Sequence, residues 1–174
     1  PSLALGTSEV NLLELTAAYD VLANSGKGIF VHGIRSIENT SGKTLFMREG
    51  KGPGEILDSG LVNTMIRMLE NTIQTGTGKN AKIDRPAAGK TGTSQSLRDA
   101  WFIGFSSDLV VGVWFGNDDD SPMKNITGGT APAILWSDFM KKAHYGKPPV
   151  ALSDSIIANR DKENKSRIDR LIKK

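Results

Sequence analysis

The chain of 174 residues contains no cysteine. This absence excludes disulfide bonds, thiolate nucleophiles and zinc–thiolate sites, and it is compatible with either a reducing or an oxidising compartment. Only two histidines are present, His32 and His144, and neither has a second histidine four residues away. We therefore expect both to be surface or packing residues, and we expect neither a metal site nor a cofactor.

Long hydrophobic runs are also missing, since no apolar stretch approaches the ~20 residues that a membrane-spanning helix needs. We therefore expect this sequence to carry no membrane anchor of its own. It begins at Pro1 without an initiator methionine or a signal segment, so we expect the natural start to lie upstream.

Charge of one sign is not concentrated on the body of the chain. The formal net charge of +3 comes from residues 150–174, which we expect to form a charged, poorly ordered tail after a domain spanning residues 1–149. No basic groove with interleaved aromatic residues is present, which disfavours nucleic acid as a partner.

Three segments have the pattern of helices. The first begins with a capping box at Asn11 and Glu14 and stops near Gly26, the second follows Asp58 and stops near Gly76, and the third follows Thr130. The residues predicted to face inward are Leu13, Ala17, Val21, Leu15, Ala18 and Leu22 in the first helix, Leu61, Met65, Met68, Leu69, Thr72 and Ile73 in the second, and Leu135, Phe139 and Ala143 in the third.

Strand patterns occupy the remaining apolar segments. Short runs at 29–31, 34–37 and 44–46 predict a small hairpin, and residues 85–94, 100–105 and 109–115 predict three consecutive antiparallel strands. The fold class is therefore α/β in the α+β sense, an antiparallel sheet flanked by helices. The acidic run 117–120 lacks the glycine and distal glutamate of a calcium loop, so we interpret it as a turn.

The first of these three strands carries Lys90 among small and hydroxylated residues, Gly89, Thr91, Gly92 and Thr93. A lysine with threonine hydroxyls on an accessible backbone suits an anionic ligand. Two chemistries share this pattern, the phosphate-binding P-loop and the K-T-G strand of serine acyl-transfer enzymes. Asp84 stands where a P-loop needs its first glycine, which disfavours phosphate; a solvated lysine on a strand is the alternative without function.

Several motifs in order resemble the C-terminal portion of the transpeptidase domain in class A penicillin-binding proteins. The resemblance covers roughly residues 1–145 and is carried by residues 1–10 with the helix that follows, Ala88–Thr93, Asp99–Gly104, Phe115–Asp118 and Gly128–Pro132. An ordered series is far more specific than K-T-G alone.

This resemblance implies acyl transfer from the D-alanyl-D-alanine end of a cell-wall stem peptide to an amine acceptor. It implies that Lys90 supplies positive charge, that the hydroxyls of Thr91 and Thr93 bind the substrate carboxylate, and that the Thr93 amide is an oxyanion donor. Gly92 would keep the strand open to the substrate. Implied partners are stem peptides and β-lactams, at the periplasmic or extracytoplasmic face of the bacterial inner membrane.

The sequence departs from the family pattern in its other two motifs. It contains no S-x-N, and its one S-x-x-K match, Ser121 to Lys124, follows K-T-G in a proline-containing loop, so we interpret it as coincidence. We therefore expect the nucleophilic serine upstream of Pro1 and the isolated chain to be inactive without the missing N-terminal part of the domain. A noncatalytic relative that binds peptidoglycan or a partner, and a nucleotide-binding domain, remain as alternative hypotheses.

Overall fold

The computed structural model describes residues 9–48 and 52–152. Most of the first motif, residues 49–51 and nearly all of the charged tail lie outside the described residues. The helices are α1 (Leu12–Ala23), α2 (Ser59–Gln74) and α3 (Ala131–Ala143), and the strands are β1 (Lys27–Gly28), β2 (Ser36–Glu38), β3 (Thr44–Met47), β4 (Gly54–Glu55), β5 (Ala88–Thr93), β6 (Asp99–Phe105) and β7 (Val110–Gly116).

A three-stranded antiparallel sheet of order β5-β6-β7 forms the centre, as predicted. Lys90 is paired with Ile103 on β6, and Ile103 is paired in turn with Gly112 on β7. The β6–β7 turn is closed by a hydrogen bond from the Ser106 amide to the Leu109 carbonyl at 2.9 Å. Aromatic and β-branched residues favour this pleated arrangement, in which alternate side chains face opposite sides of the sheet.

Two hydrophobic clusters cover the two faces of this sheet. On one face, Phe105 and Ala88 are buried with residues of α2, and α1 packs against the same cluster through Tyr19. On the other face, Phe102 is buried with residues of α3. Leu152 is buried in the first cluster, so the packed body extends to that position. The sheet is therefore the middle layer between helices, in agreement with the predicted α+β class.

Helix α3 contacts the sheet through Trp136. Its ring lies 5.2 Å from that of Phe102, and its indole N–H donates to the Val111 carbonyl at 3.1 Å. The prediction that Leu135 and Phe139 face inward is wrong, since each is 50% exposed. A helical stripe one residue further along is buried instead, because the bulky indole fills the space above Gly104.

Helix α1 begins as predicted. The Asn11 side chain accepts from the Glu14 amide at 2.9 Å, and the Glu14 carboxylate accepts from the Asn11 amide. Its predicted inner residues are wrong at Leu13, which is 62% exposed, and at Ala18, which is exposed as well. The adjacent stripe of Leu12 and Thr16 lies against the sheet at Gly112, where the missing side chain leaves room for them.

Helix α2 buries Val62, Ile66, Leu69 and Ile73. The predicted inner stripe is correct for Leu69 and Ile73 but wrong for three other residues. Leu61, Met65 and Met68 are 66, 44 and 61% exposed, so the two methionines are not core residues. These three side chains, called the α2 outer stripe below, form a second apolar face that no described residue covers.

A short hairpin pairs β2 with β3 around the predicted turn at 39–42, in which the Asn39 side chain accepts from the Lys43 amide at 2.9 Å. Residues 29–31 do not form the predicted strand. The strand there is the two-residue β1, which pairs with β4 because Gly26, with a φ of +85°, redirects the chain after α1.

The prediction for His144 as a packing residue is confirmed. Its ring is 1% exposed, with Nε2 2.9 Å from the Ser106 hydroxyl and Nδ1 2.8 Å from the Met140 carbonyl. It joins the end of α3 to the β6–β7 turn. His32 is exposed and contacts the Phe30 carbonyl. In the described ranges, no helix is both long and apolar enough to cross a membrane.

The Asp20 carboxyl allows a test of how a partly buried charge changes the stability of this fold with pH. Burial raises the pKa of its carboxyl, and the group lies in the last turn of α1, where a negative charge opposes the helix dipole. A carboxyl whose pKa is raised by folding stabilises the protein at low pH and loses that contribution as pH rises through the folded pKa. Asp20→Asn should therefore raise Tm at neutral pH by about 2 °C, and the gain should vanish near pH ~3.

The measurement is thermal unfolding at several pH values. Asp138→Asn, at an exposed position of α3, is the matched control. Equal shifts in the two variants, or a gain for Asp20→Asn that is independent of pH, would contradict this account.

Candidate active site

Lys90, Thr91, Gly92 and Thr93 are the last four of the six residues of β5, which is paired only with β6 among the described strands. The strand is buried at Ala88 and Gly89 and becomes accessible from Lys90 onward. The Lys90 ammonium donates to the Thr91 carbonyl at 2.8 Å. The predicted anion-binding residues thus lie together on the accessible end of a strand whose other end is anchored in the core.

The side chains of this segment leave the strand on two faces, since successive residues of a strand alternate. Ala88 packs in the α1–α2 cluster, which places Lys90 on that same face. Thr91 and Thr93 are on the α3 face. A ligand at the edge of β5 can therefore meet the ammonium from one side and two hydroxyls from the other.

The backbone groups of β5 alternate in direction as well. The Ser94 amide donates to the Asp99 carbonyl at the start of β6, at 3.0 Å. By alternation, the amide of Thr93 points away from β6, toward the strand edge that no described strand occupies. That orientation is the one an oxyanion donor requires.

Both hydroxyls have a partner from another segment. The Thr91 hydroxyl lies 2.7 Å from the Thr77 hydroxyl, and the Thr93 hydroxyl accepts from the Gly128 amide at 3.1 Å. Sequence reasoning missed both contacts. It gave Thr77 no role, and it used Gly128 only as part of an ordered motif. The motif position of Gly128 was the one available signal.

Gly92 lies against β6 where a side chain would be tight. A Cβ atom added there would lie 3.2 Å from the Cβ of Trp101. The absence of a side chain also leaves the Lys90 face of the strand open beside the ammonium.

The other candidate sites in the sequence are a P-loop at Lys90 and a metal site in the acidic run 117–120. Neither has the geometry that its chemistry requires. In a P-loop the lysine begins a helix that cradles phosphate, whereas Lys90 is inside a strand and the next helical element is the 3₁₀ turn Gln95–Leu97. The acidic run forms the predicted turn, closed by the Asp120 amide donating to the Asn117 carbonyl at 3.0 Å. Across residues 9–48 and 52–152, no cluster of three histidine or carboxylate ligands could hold a metal ion.

Ser121 and Lys124 follow this turn and lie outside any helix. The Ser121 hydroxyl is 3.1 Å from the Asn117 side-chain nitrogen, and the Ser121 amide donates to the Asp119 carboxylate. Hydrogen bonds from the Ser121 hydroxyl and from its amide lower the pKa of the Asp119 carboxyl and hold the serine in the turn. No hydrogen bond joins Ser121 to Lys124 in the described structure. The geometry agrees with the interpretation that this S-x-x-K match is a coincidence.

Comparison with known proteins identifies a family that matches most of the chain. The penicillin-binding protein transpeptidase domain family matches residues 2–141. Penicillin-binding protein 1A of Aquifex aeolicus is 40% identical over 144 residues, which are 80% of this chain and 19% of that protein. The corresponding protein of Rickettsia typhi is 33% identical over 89% of this chain and 23% of its own length. The chain therefore spans about a fifth of these curated relatives.

Solved structures agree. Penicillin-binding protein 1A from Haemophilus influenzae superposes with a TM-score of 0.77 at 27% identity, over 88% of this chain and 29% of that one. The penicillin-binding protein PonA1 from Mycobacterium tuberculosis gives 0.78 at 23% identity, over 87% of this chain and 42% of that one, which shows the shared fold. By sequence and by fold, the chain belongs to the penicillin-binding protein transpeptidase domain family.

Proposed function

We propose that this chain is the C-terminal part of a serine D,D-transpeptidase domain that cross-links peptidoglycan and binds penicillins. The observation that carries the proposal is the accessible end of β5, which presents an ammonium on one face, two hydroxyls on the other face and an amide at its open edge. The substrate is the D-alanyl-D-alanine end of a stem peptide, which carries a terminal carboxylate. β-Lactams with a carboxylate occupy the same position.

Each residue of β5 has a distinct role in this proposal. Lys90 supplies positive charge beside the substrate carboxylate, and the hydroxyls of Thr91 and Thr93 donate hydrogen bonds to it. The Thr93 amide donates to the oxygen that becomes negative when the serine attacks the carbonyl. Loss of one such donor costs about 100- to 1000-fold in rate in enzymes where it has been removed. Gly92 leaves the strand open for the substrate backbone.

The nucleophilic serine and the S-x-N motif belong, in this proposal, to a preceding part of the same domain. The α2 outer stripe supplies the surface for that part. Large apolar side chains at this level of exposure are unfavourable in water, so the element that carries the serine would cover the stripe. The unpaired edge of β5 stays open and accepts the substrate backbone, since an unpaired strand edge invites a partner.

The site of action follows from the substrate. Peptidoglycan is assembled outside the cytoplasmic membrane, so the longer protein would act in the periplasm or at the extracytoplasmic face of the inner membrane. Nucleic acid has no place in the proposal.

A first prediction concerns Lys90 in the longer protein. Lys90→Ala should lower the second-order rate of acylation by benzylpenicillin by at least about 100-fold, because it removes a charge that interacts with the ligand carboxylate. Tm should change little, because Lys90 is exposed and its one described hydrogen bond is to its own strand. Stopped-flow acylation and thermal unfolding measure the two quantities.

Lys124→Ala is the matched control, since Lys124 is an exposed lysine in the coincidental S-x-x-K match. Its acylation rate should equal that of the unmodified protein. A large loss of Tm for Lys90→Ala with acylation intact would show instead that Lys90 is structural.

A second prediction separates the chain from the longer protein. A fluorescent penicillin should label the longer protein covalently and leave the isolated chain unlabelled, as detected by in-gel fluorescence. Labelling of the isolated chain at Ser121 would contradict the proposal. A folded longer protein that stays unlabelled would identify a noncatalytic relative, and calorimetric heat on addition of nucleotide with magnesium would support the nucleotide-binding alternative.

A further inference from the structure

The two hydroxyls of β5 are held by a pair of loops. One is the tight turn Thr127–Thr130, in which the Thr130 hydroxyl donates to the Thr127 carbonyl at 2.8 Å and accepts from the Thr127 amide at 2.9 Å. The other carries Thr77 and Asn80. The Asn80 side chain donates to the Gly129 carbonyl at 2.8 Å, so the two loops are fixed to each other.

The contact from Gly128 sets the direction of the Thr93 proton. A hydroxyl has one proton and two acceptor lone pairs. The Gly128 amide donates to the Thr93 oxygen at 3.1 Å and therefore occupies an acceptor position. The Thr93 proton is left to point elsewhere, and the exposed side chain offers it to a ligand at the edge of β5. The Thr93 hydroxyl can therefore donate its proton to an anionic ligand and keep its contact with Gly128 at the same time.

Gly128 can approach this closely because it has no side chain. A Cβ atom there would lie 2.5 Å from the Gly92 carbonyl oxygen and closer still to that of Trp101. Real Cβ atoms do not approach backbone oxygen so closely, so alanine would force the turn away from β5. The space, and not an unusual backbone conformation, makes glycine necessary.

The contact from Thr77 acts on Thr91 in the same way. Their hydroxyl oxygens are 2.7 Å apart, so one of the two donates to the other. When an anion accepts the Thr91 proton, Thr77 has to be the donor to Thr91. Hydrogen bonds in such a chain strengthen one another by polarisation.

We propose that Thr77 and the Gly128–Gly129 turn are positioning residues that orient the Thr91 and Thr93 hydroxyls as paired donors to the ligand carboxylate. The proposal rests on the proposed function. Neither Thr77 nor Gly128 touches the ligand, and each acts through a threonine of β5. The consequence is a coupling: Thr77 should matter only while the Thr91 hydroxyl is present.

A double-mutant cycle in the longer protein tests this coupling, with the acylation rate by benzylpenicillin as readout. Thr77→Val should lower the rate about 10-fold, the upper range for a hydrogen bond between two neutral groups. Thr77→Ser should restore it to within about threefold, because serine keeps the hydroxyl. In a Thr91→Val background, Thr77→Val should cause no further loss, since the two changes remove one shared interaction.

Thr64→Val is the matched control, because the Thr64 hydroxyl bonds within α2 to the Gly60 carbonyl, away from β5. Its rate should be unchanged. Additive losses for Thr77→Val and Thr91→Val, or no loss for Thr77→Val in a protein that penicillin still acylates, would overturn the inference. An unmodified longer protein that is not acylated would overturn the proposed function instead.

Gly128→Ala gives a second measurement of the same inference. The rate should fall at least about 10-fold through loss of the donor to Thr93, and the fall should be absent in a Thr93→Val background that retains measurable acylation. If the alanine variant does not fold, the Thr77 cycle alone decides the inference.

Discussion

The pairing of β5 with β6 is the interaction on which the site depends. It fixes the face of the sheet on which each β5 side chain lies, and it fixes which backbone amides point to the open edge. Six consecutive pairs, from Ala88–Phe105 to Thr93–Ala100, set this register without a bulge. A slip of one residue would exchange the faces of Lys90 and Thr91 and turn the Thr93 amide toward β6. The apolar packing of Phe102 and Phe105 on opposite faces prevents that slip.

The support around β5 is unequal along its length. Its first residues are buried between the two hydrophobic clusters, whereas its last residues depend on polar contacts from Thr77 and Gly128. A strand that is rigid at one end and held by hydrogen bonds at the other can present donors accurately and still be open to a ligand. Trp136 contributes indirectly, because it anchors the helix that begins directly after the Thr127–Thr130 turn.

Sequence reasoning predicted the antiparallel sheet, the capping box at Asn11 and the K-T-G strand because each depends on local patterns. It failed for the helix faces. Leu135, Phe139, Leu13 and Met65 are apolar and helically spaced, yet they are exposed, because a neighbouring stripe packs on the sheet. Adjacent apolar stripes differ only in tertiary contacts such as those of Trp136, which spacing does not encode. The contacts of Thr77 with Thr91 and of Gly128 with Thr93 were not predicted for the same reason, since the partners lie 14 and 35 residues apart in the sequence.

The central claim is that the end of β5 binds a carboxylate. A crystal structure of the longer protein acylated by benzylpenicillin tests it most directly. The account predicts the ligand carboxylate within about 3 Å of the Thr91 and Thr93 hydroxyls, with the acyl carbonyl oxygen at the Thr93 amide. A carboxylate bound elsewhere, with β5 free of ligand, would contradict it.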